Sequence, residues 1–231
     1  MTRHPLRPFV LGMWGLGMLA VTAVPAAQTT PVDPAALARS IQRHYDTVRD
    51  FSAAFVHAYE GGVLRKTVVE RGTVRFKKPG MMRWVYTHPE RKEFVSDGVR
   101  LYAYVPEDRQ VTISPVPAGD GASSPALFLA GQGSLTRDFV ASAPAGLPAR
   151  PPATLSVTLT PRKPESEFEW MTLVVDAVTL QIRGLVTADA QGGRSSFTFD
   201  RVRENTGVGD QEFRFTIPRG VDVITNNQTG R

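Results

Sequence analysis

Apolar positions along the chain follow two different periods. Leu37, Ile41, Tyr45 and Val48 recur at helical spacing, behind an Asp33-Pro34 pair. That pair supplies an N-cap acceptor and a proline at the first helical position. The spacing predicts one amphipathic helix of about 16 residues, ending near Phe51. From there the period becomes two. Phe51, Ala53, Phe55, His57 and Tyr59 alternate with smaller residues up to the turn at Glu60-Gly61-Gly62, and a second strand runs on to Phe76, with Val74 and Phe76 on one face. Pro79-Gly80 breaks the pattern. Met82, Trp84 and Tyr86 then share a face, and Phe94-Val95 leads into a hairpin signal at Asp97-Gly98. Leu101, Ala103 and Val105 mark a further strand, as do Val111 and Ile113.

Residues 115–124 read as a loop rich in Pro, Gly, Ser and Ala. Pro125 opens a short apolar run, Ala126-Leu127-Phe128-Leu129-Ala130, closed by Gly131, which suits a two-turn helix. A second Pro/Ala/Gly loop covers 143–153. Strands are then expected at Leu155–Leu159, Phe168–Val175, Leu180–Ala188, Arg194–Val202 and Phe213–Ile217, with a turn at Gly192-Gly193. The total is about eleven short strands, which implies a curling antiparallel sheet. One helix and one helical turn cannot cover the concave side of so large a sheet densely. An apolar cavity is a plausible consequence.

The first 27 residues have the form of a cleaved secretory signal. Arg3 and Arg7 precede an uncharged, mostly apolar run from Phe9 to Val24, followed by the small residues Ala26 and Ala27. The run is short for a membrane-spanning helix, which needs about 20 residues. Residues 28–231 then form one domain. The chain of 231 residues has 27 Lys plus Arg against 22 acids, a formal charge of +5, and loses Arg3 and Arg7 with the signal. Basic density peaks between Arg75 and Arg83, but no run is long enough to suggest nucleic acid. With no cysteine, disulfides, thiolate metal sites, a cysteine nucleophile and a lipid-modified N-terminal cysteine are all excluded.

Catalytic signatures are missing. His44, His57 and His88 have no metal-ligand spacing, and there is no Gly-x-Ser-x-Gly elbow, P-loop or dinucleotide fingerprint. Glu165, Glu167 and Glu169 would share a strand face, where a solvated surface is the ordinary reading of such a triple. Neither a cofactor, a metal nor an enzymatic activity is expected.

One ordered set of segments remains. Gly72-Thr73-Val74-Arg75-Phe76-Lys77-Lys78-Pro79-Gly80-Met81-Met82-Arg83-Trp84 is followed by Val95-Ser96-Asp97-Gly98, Leu101-Tyr102-Ala103-Tyr104, Gln110-Val111 and Ser124-Pro125. Arg194-Ser195-Ser196-Phe197 and the stretch from Phe213 to Val221 close the set. In this order the segments resemble the periplasmic outer-membrane lipoprotein carrier family, LolA. The resemblance implies an incomplete antiparallel β-barrel with short lid helices over an apolar cavity. It implies a periplasmic carrier that accepts acylated lipoproteins from an inner-membrane ABC transporter and passes them to an outer-membrane receptor. A monomer is expected. The missing cysteine separates the chain from that receptor, which is itself a lipoprotein.

The same resemblance assigns the acyl-chain cavity to Leu37, Ile41, Phe76, Met82, Trp84, Tyr86, Leu127, Phe128 and Leu129. It also assigns a lid latch to the basic residue before proline, usually arginine. Here that residue is Lys78, which can donate to lid carbonyls but lacks the planar guanidinium fork. The latch is therefore weaker, or moved to Arg75, Lys77 or Arg83. Other readings on this scaffold are a carrier of another lipid or an apolar pigment, and an envelope sensor.

Overall fold

The computed structural model describes residues 32–61, 66–116, 125–144, 152–164 and 168–226. The signal segment, Gly62, Leu127's side chain, most of the loops expected at 115–124 and 143–153, Glu165 and Glu167 lie outside what is described.

Helix α1 spans Pro34–Thr47. Asp33 caps it, its carboxylate accepting from the backbone N–H of Ala35 at 3.0 Å and of Ala36 at 3.2 Å. The buried face is Leu37, Ala38, Ile41 and Tyr45, matching the spacing in the sequence. The chain then enters β1 (Asp50–Glu60), β2 (Thr67–Lys77), β3 (Met81–His88), β4 (Lys92–Asp97), β5 (Arg100–Val105) and β6 (Gln110–Pro115). Two short helices follow, α2 (Pro125–Leu129) and α3 (Leu135–Asp138), leading to β7 (Phe139–Ser142). The remaining strands are β8 (Thr154–Pro161), β9 (Trp170–Asp176), β10 (Ile182–Ala188), β11 (Arg194–Glu204) and β12 (Asp222–Thr225).

Among the described residues twelve strands form one sheet, ordered β12-β6-β5-β4-β3-β2-β1-β11-β10-β9-β8-β7. Neighbours are antiparallel except β12, which runs parallel to β6. The sheet does not close, so β12 and β7 are its free edges. One expectation is corrected. Residues Phe213–Ile217 are not a strand: a 3-10 turn at Asp210–Phe213 buries Phe213, and the strand comes later, at Asp222–Thr225. The structure adds two short elements before residue 143, α3 and β7.

Aromatic packing sets the inner face. Phe51 meets Phe76 at 5.9 Å and Phe199 at 5.8 Å, while Phe55 meets Trp84 at 5.1 Å and Tyr86 at 4.9 Å between ring centres. Gly72 makes the second contact set possible. A Cβ there would lie 2.7 Å from the Phe55 ring and against the Val85 carbonyl, so only glycine lets β2 pass.

The outer face carries a strap. Residues after β11 cross β3 and β4 on the basic side chains concentrated between Arg75 and Arg83. Lys77 Nζ donates to the Val208 carbonyl at 2.8 Å and to Asp210 at 2.5 Å. Arg83 donates to the Glu212 carbonyl at 2.8 Å, and Arg75 lies 3.8 Å from the Glu212 carboxylate.

Candidate functional site

An apolar cavity of about 380 Å³ lies between the sheet and α2. Met82, Trp84 and Tyr86 of β3 form one wall with Phe94 of β4 and Leu101 of β5. Leu185 and Thr187 of β10, Ser195 and Phe197 of β11, and Phe168 form the other, with Pro125 and Ala126 of α2 across the opening. The period-two alternation of β3 puts its three large side chains on the inner face together. Phe197 links the walls, its ring centre 5.3 Å from Trp84.

The structure divides the residues that the resemblance assigned. Met82, Trp84 and Tyr86 line the cavity. Phe76, Leu37, Ile41, Phe128 and Leu129 do not line it; they are buried in the continuous core beside it. Phe76 packs behind Trp84 at 5.5 Å, and Leu37 and Ile41 hold α1 down. The residues missed by sequence reading come mostly from β10, β11 and α2. Their signal was present in the alternation Leu185-x-Thr187 and Ser195-x-Phe197, but which parity faced inward depends on register.

A second feature joins the helices to the sheet. Lys78, at the β2–β3 turn, donates from Nζ to the Tyr45 carbonyl in the last turn of α1. Its ammonium also sits 3.9 Å from the centre of the Tyr45 ring. Tyr45 in turn donates its hydroxyl to the Leu129 carbonyl at the end of α2, and its ring stacks on Phe128 at 5.5 Å. The Gly80 N–H donates to the Ala130 carbonyl at 2.9 Å. The Lys78 stem runs over Gly131, whose φ of +89° and absent Cβ leave it room. Burial lowers the Lys78 pKa below its ordinary value, with Asp46 and Glu204 opposing the shift. Burial, helped by Glu204, raises that of Tyr45, which keeps the phenol a donor. Arg75, Lys77 and Arg83 serve the strap on the outer face instead.

A polar chain lies beside the cavity on the same face of the sheet, His57 standing opposite Phe197 and Lys92 opposite Tyr86. Lys92 Nζ donates to Glu70 at 2.5 Å, and Glu70 meets His57 Nδ1 at 3.0 Å. His57 Nε2 meets the Ser195 hydroxyl at 3.2 Å. The imidazole lies flat on Phe197, 4.1 Å between centres at 1°. Burial alone would raise the pKa of Glu70, but the hydrogen bonds from Lys92 and His57 prevail and hold it low. For His57 burial dominates and lowers the pKa, against the pull of Glu70. Among the described residues no cluster of His, Asp and Glu is arranged to hold a metal, and no helix is long and apolar enough to cross a membrane.

Known proteins resemble this chain in fold and in sequence. A solved structure of an uncharacterized conserved protein from Thermus thermophilus superposes with a TM-score of 0.52 at 13% identity, covering 82% of this chain and 99% of that one. At that identity it speaks for the fold alone. An outer-membrane lipoprotein carrier protein from Chromohalobacter salexigens is 30% identical over 213 residues, 91% of this chain and 96% of that protein. Another so named, from Nitrosospira multiformis, is 34% identical over 156 residues, 67% of this chain and 72% of that protein. The family model described as outer membrane lipoprotein carrier protein LolA matches residues 46–216. With that match across most of the sheet, and a relative of this similarity over nearly the whole length, the chain belongs to the LolA family of outer membrane lipoprotein carrier proteins.

Proposed function

We propose that this protein is a non-enzymatic periplasmic carrier. Residues 1–27 are removed as a signal, and the remaining chain, as a monomer, shelters the acyl chains of lipoproteins between the membranes. The single observation that carries the reading is the apolar cavity beneath helices tied down by hydrogen bonds at Lys78 and Tyr45. The cavity lies toward the small end of ligand pockets, which span about 300–1,000 Å³. Several acyl chains need more room, so loading lifts α1 and α2 and breaks the latch.

The thermodynamics fix the direction of transport. Burying acyl chain contributes about 0.8 kcal/mol per methylene, so three chains of roughly 15 methylenes amount to about 35 kcal/mol. Non-covalent affinity saturates near about 20 kcal/mol. No soluble carrier extracts such cargo from a bilayer by affinity alone. Loading is therefore driven at the inner membrane by an ATP-hydrolysing ABC transporter. Unloading runs downhill to an outer-membrane receptor, aided by reclosure of the latch. A lining rich in adaptable side chains such as Met82 suits cargo whose protein part varies.

The test is native mass spectrometry of the protein isolated from periplasm without detergent, beside release of acylated lipoprotein from spheroplasts by the purified protein. An acylated protein bound at equal stoichiometry, with release, is the expected result. A bound small lipid or pigment without release would replace the cargo, and an empty protein that releases nothing would overturn the carrier reading.

A further inference from the structure

The cavity of an acyl carrier needs no polar side chain, yet Thr187 and Ser195 line this one. They stand directly opposite each other on β10 and β11, so their side chains share the inner face. The two hydroxyls differ in their freedom. The Thr187 hydroxyl has no hydrogen-bond partner among the described residues and can donate or accept. Ser195 is committed by the polar chain beside it.

The direction of every proton in that chain follows from its first member. The Lys92 ammonium only donates, so the Glu70 oxygen facing it accepts. Glu70 is ionised and only accepts, so His57 must present an N–H from Nδ1. A neutral imidazole has one N–H, which leaves Nε2 as an acceptor. Ser195 therefore donates its hydroxyl proton to Nε2, away from the cavity. The Phe197 ring under His57 and the salt bridge under Glu70 hold this tautomer in place. What Ser195 turns toward the cavity is an oxygen with free lone pairs and no proton to give.

Resting on the carrier reading, we propose that Ser195 is an acceptor station inside the acyl cavity, selecting cargo in which an acyl chain is joined through an amide N–H. An acyl group on a protein nitrogen carries such a donor where the apolar chain begins. In an apolar cavity that N–H loses its water, and an unpaired donor there is costly. The Ser195 oxygen supplies the partner. An ester at the same place has no donor and gains nothing from Ser195. The Thr187 hydroxyl donates to the carbonyl common to both linkages, which leaves the amide N–H to Ser195.

The test uses a matched pair of probes, N-palmitoylglycine methyl ester and its depsi analogue with oxygen in place of the amide nitrogen. Each displaces a fluorescent fatty acid from the full mature protein. The amide is expected to bind about fivefold more tightly, the size of one net hydrogen bond. Ser195→Ala is expected to abolish the preference of the amide over the ester. His57→Phe frees the Ser195 proton, so the ester is expected to gain on the amide. Equal binding of the two probes to the native protein would overturn the station without touching the carrier reading, and needs no variant to fold. Binding of neither probe would remove both. A preference that survives Ser195→Ala would place the amide elsewhere and overturn the assignment.

Discussion

Single residues determine whether the strap stays on the sheet. Asp50, 5% exposed at the start of β1, receives three hydrogen bonds from the strap. Its carboxylate accepts from the Thr206 N–H at 2.7 Å and hydroxyl at 3.1 Å, and from the Gly207 N–H at 3.0 Å. Burial would raise its pKa, but these donors outweigh burial and lower it. A carboxylate with a depressed folded pKa stabilises fully above its unfolded value, near 4, and loses that contribution as pH falls through the folded pKa. Asp50→Ala is therefore expected to cost about 1.5–3 kcal/mol at pH 7, the range for hydrogen bonds to a charged group. The gap between variant and native protein should narrow at acid pH, below 4. Urea unfolding at the two pH values measures it, and a gap independent of pH would mean that the ionised carboxylate is not what holds the strap.

At the scale of elements, the β2–β3 turn ties α1 and α2 to the sheet, and in the proposed carrier these helices lift on loading. Three contacts make the tie: Lys78 on the Tyr45 carbonyl, Tyr45 on the Leu129 carbonyl, and Gly80 on Ala130. Removing the ammonium weakens the closed, empty state relative to the open one. Lys78→Leu is thus expected to bind a fluorescent fatty acid about tenfold more tightly and to release it to acceptor vesicles correspondingly more slowly, from the loss of one charge-assisted hydrogen bond. If affinity and transfer rate both stay native, Lys78 does not govern closure. Helix α1 was legible in the sequence as an Asp-Pro cap on a helical stripe, whereas Lys78 was marked only by the family resemblance, as the basic residue before Pro79. Its partner Tyr45 was legible only as a core position, because the use of a backbone carbonyl leaves no mark on residue type. The cavity wall was half legible for a similar reason. Alternation marks Met82, Trp84 and Tyr86 as one face, but Ser195 and Thr187 look like solvent-facing hydroxyls until the register pairs them. The false strand at Phe213–Ile217 has its own physical cause. Phe213 and Phe215 alternate as in a strand, but Phe213 is buried and Phe215 stacks on Tyr102 at 5.3 Å, so the apolar period comes from lying across the sheet rather than pairing within it.

For the whole molecule, the difficulty of an unclosed sheet is its two edges. Unpaired backbone groups at an edge recruit other chains, and natural sheets blunt them with short strands. Here both edges end that way, β7 and β12 being 4 residues each. The β12 strand adds little burial of its own, since Val223 and Ile224 stay about half exposed. Its contribution lies in its backbone: it pairs in parallel along β6 from Asp222 opposite Gln110 to Thr225 opposite Ile113, with Asp222 N–H on the Arg109 carbonyl at 2.8 Å. Ending the chain after Arg219 would uncover the 6-residue β6 as the new edge. The cavity lies elsewhere, bounded on this side by Leu101 of β5, and the strap contacts at Val208 to Glu212 precede the cut. The shortened protein is therefore expected to keep native fatty-acid affinity and yet self-associate as its concentration rises, visible by analytical ultracentrifugation. A shortened protein that remains monomeric would show that β12 is no guard of the edge. One that loses fatty-acid binding would show that the far edge of the sheet sets the shape of the cavity, and the lid alone would no longer account for opening and closing.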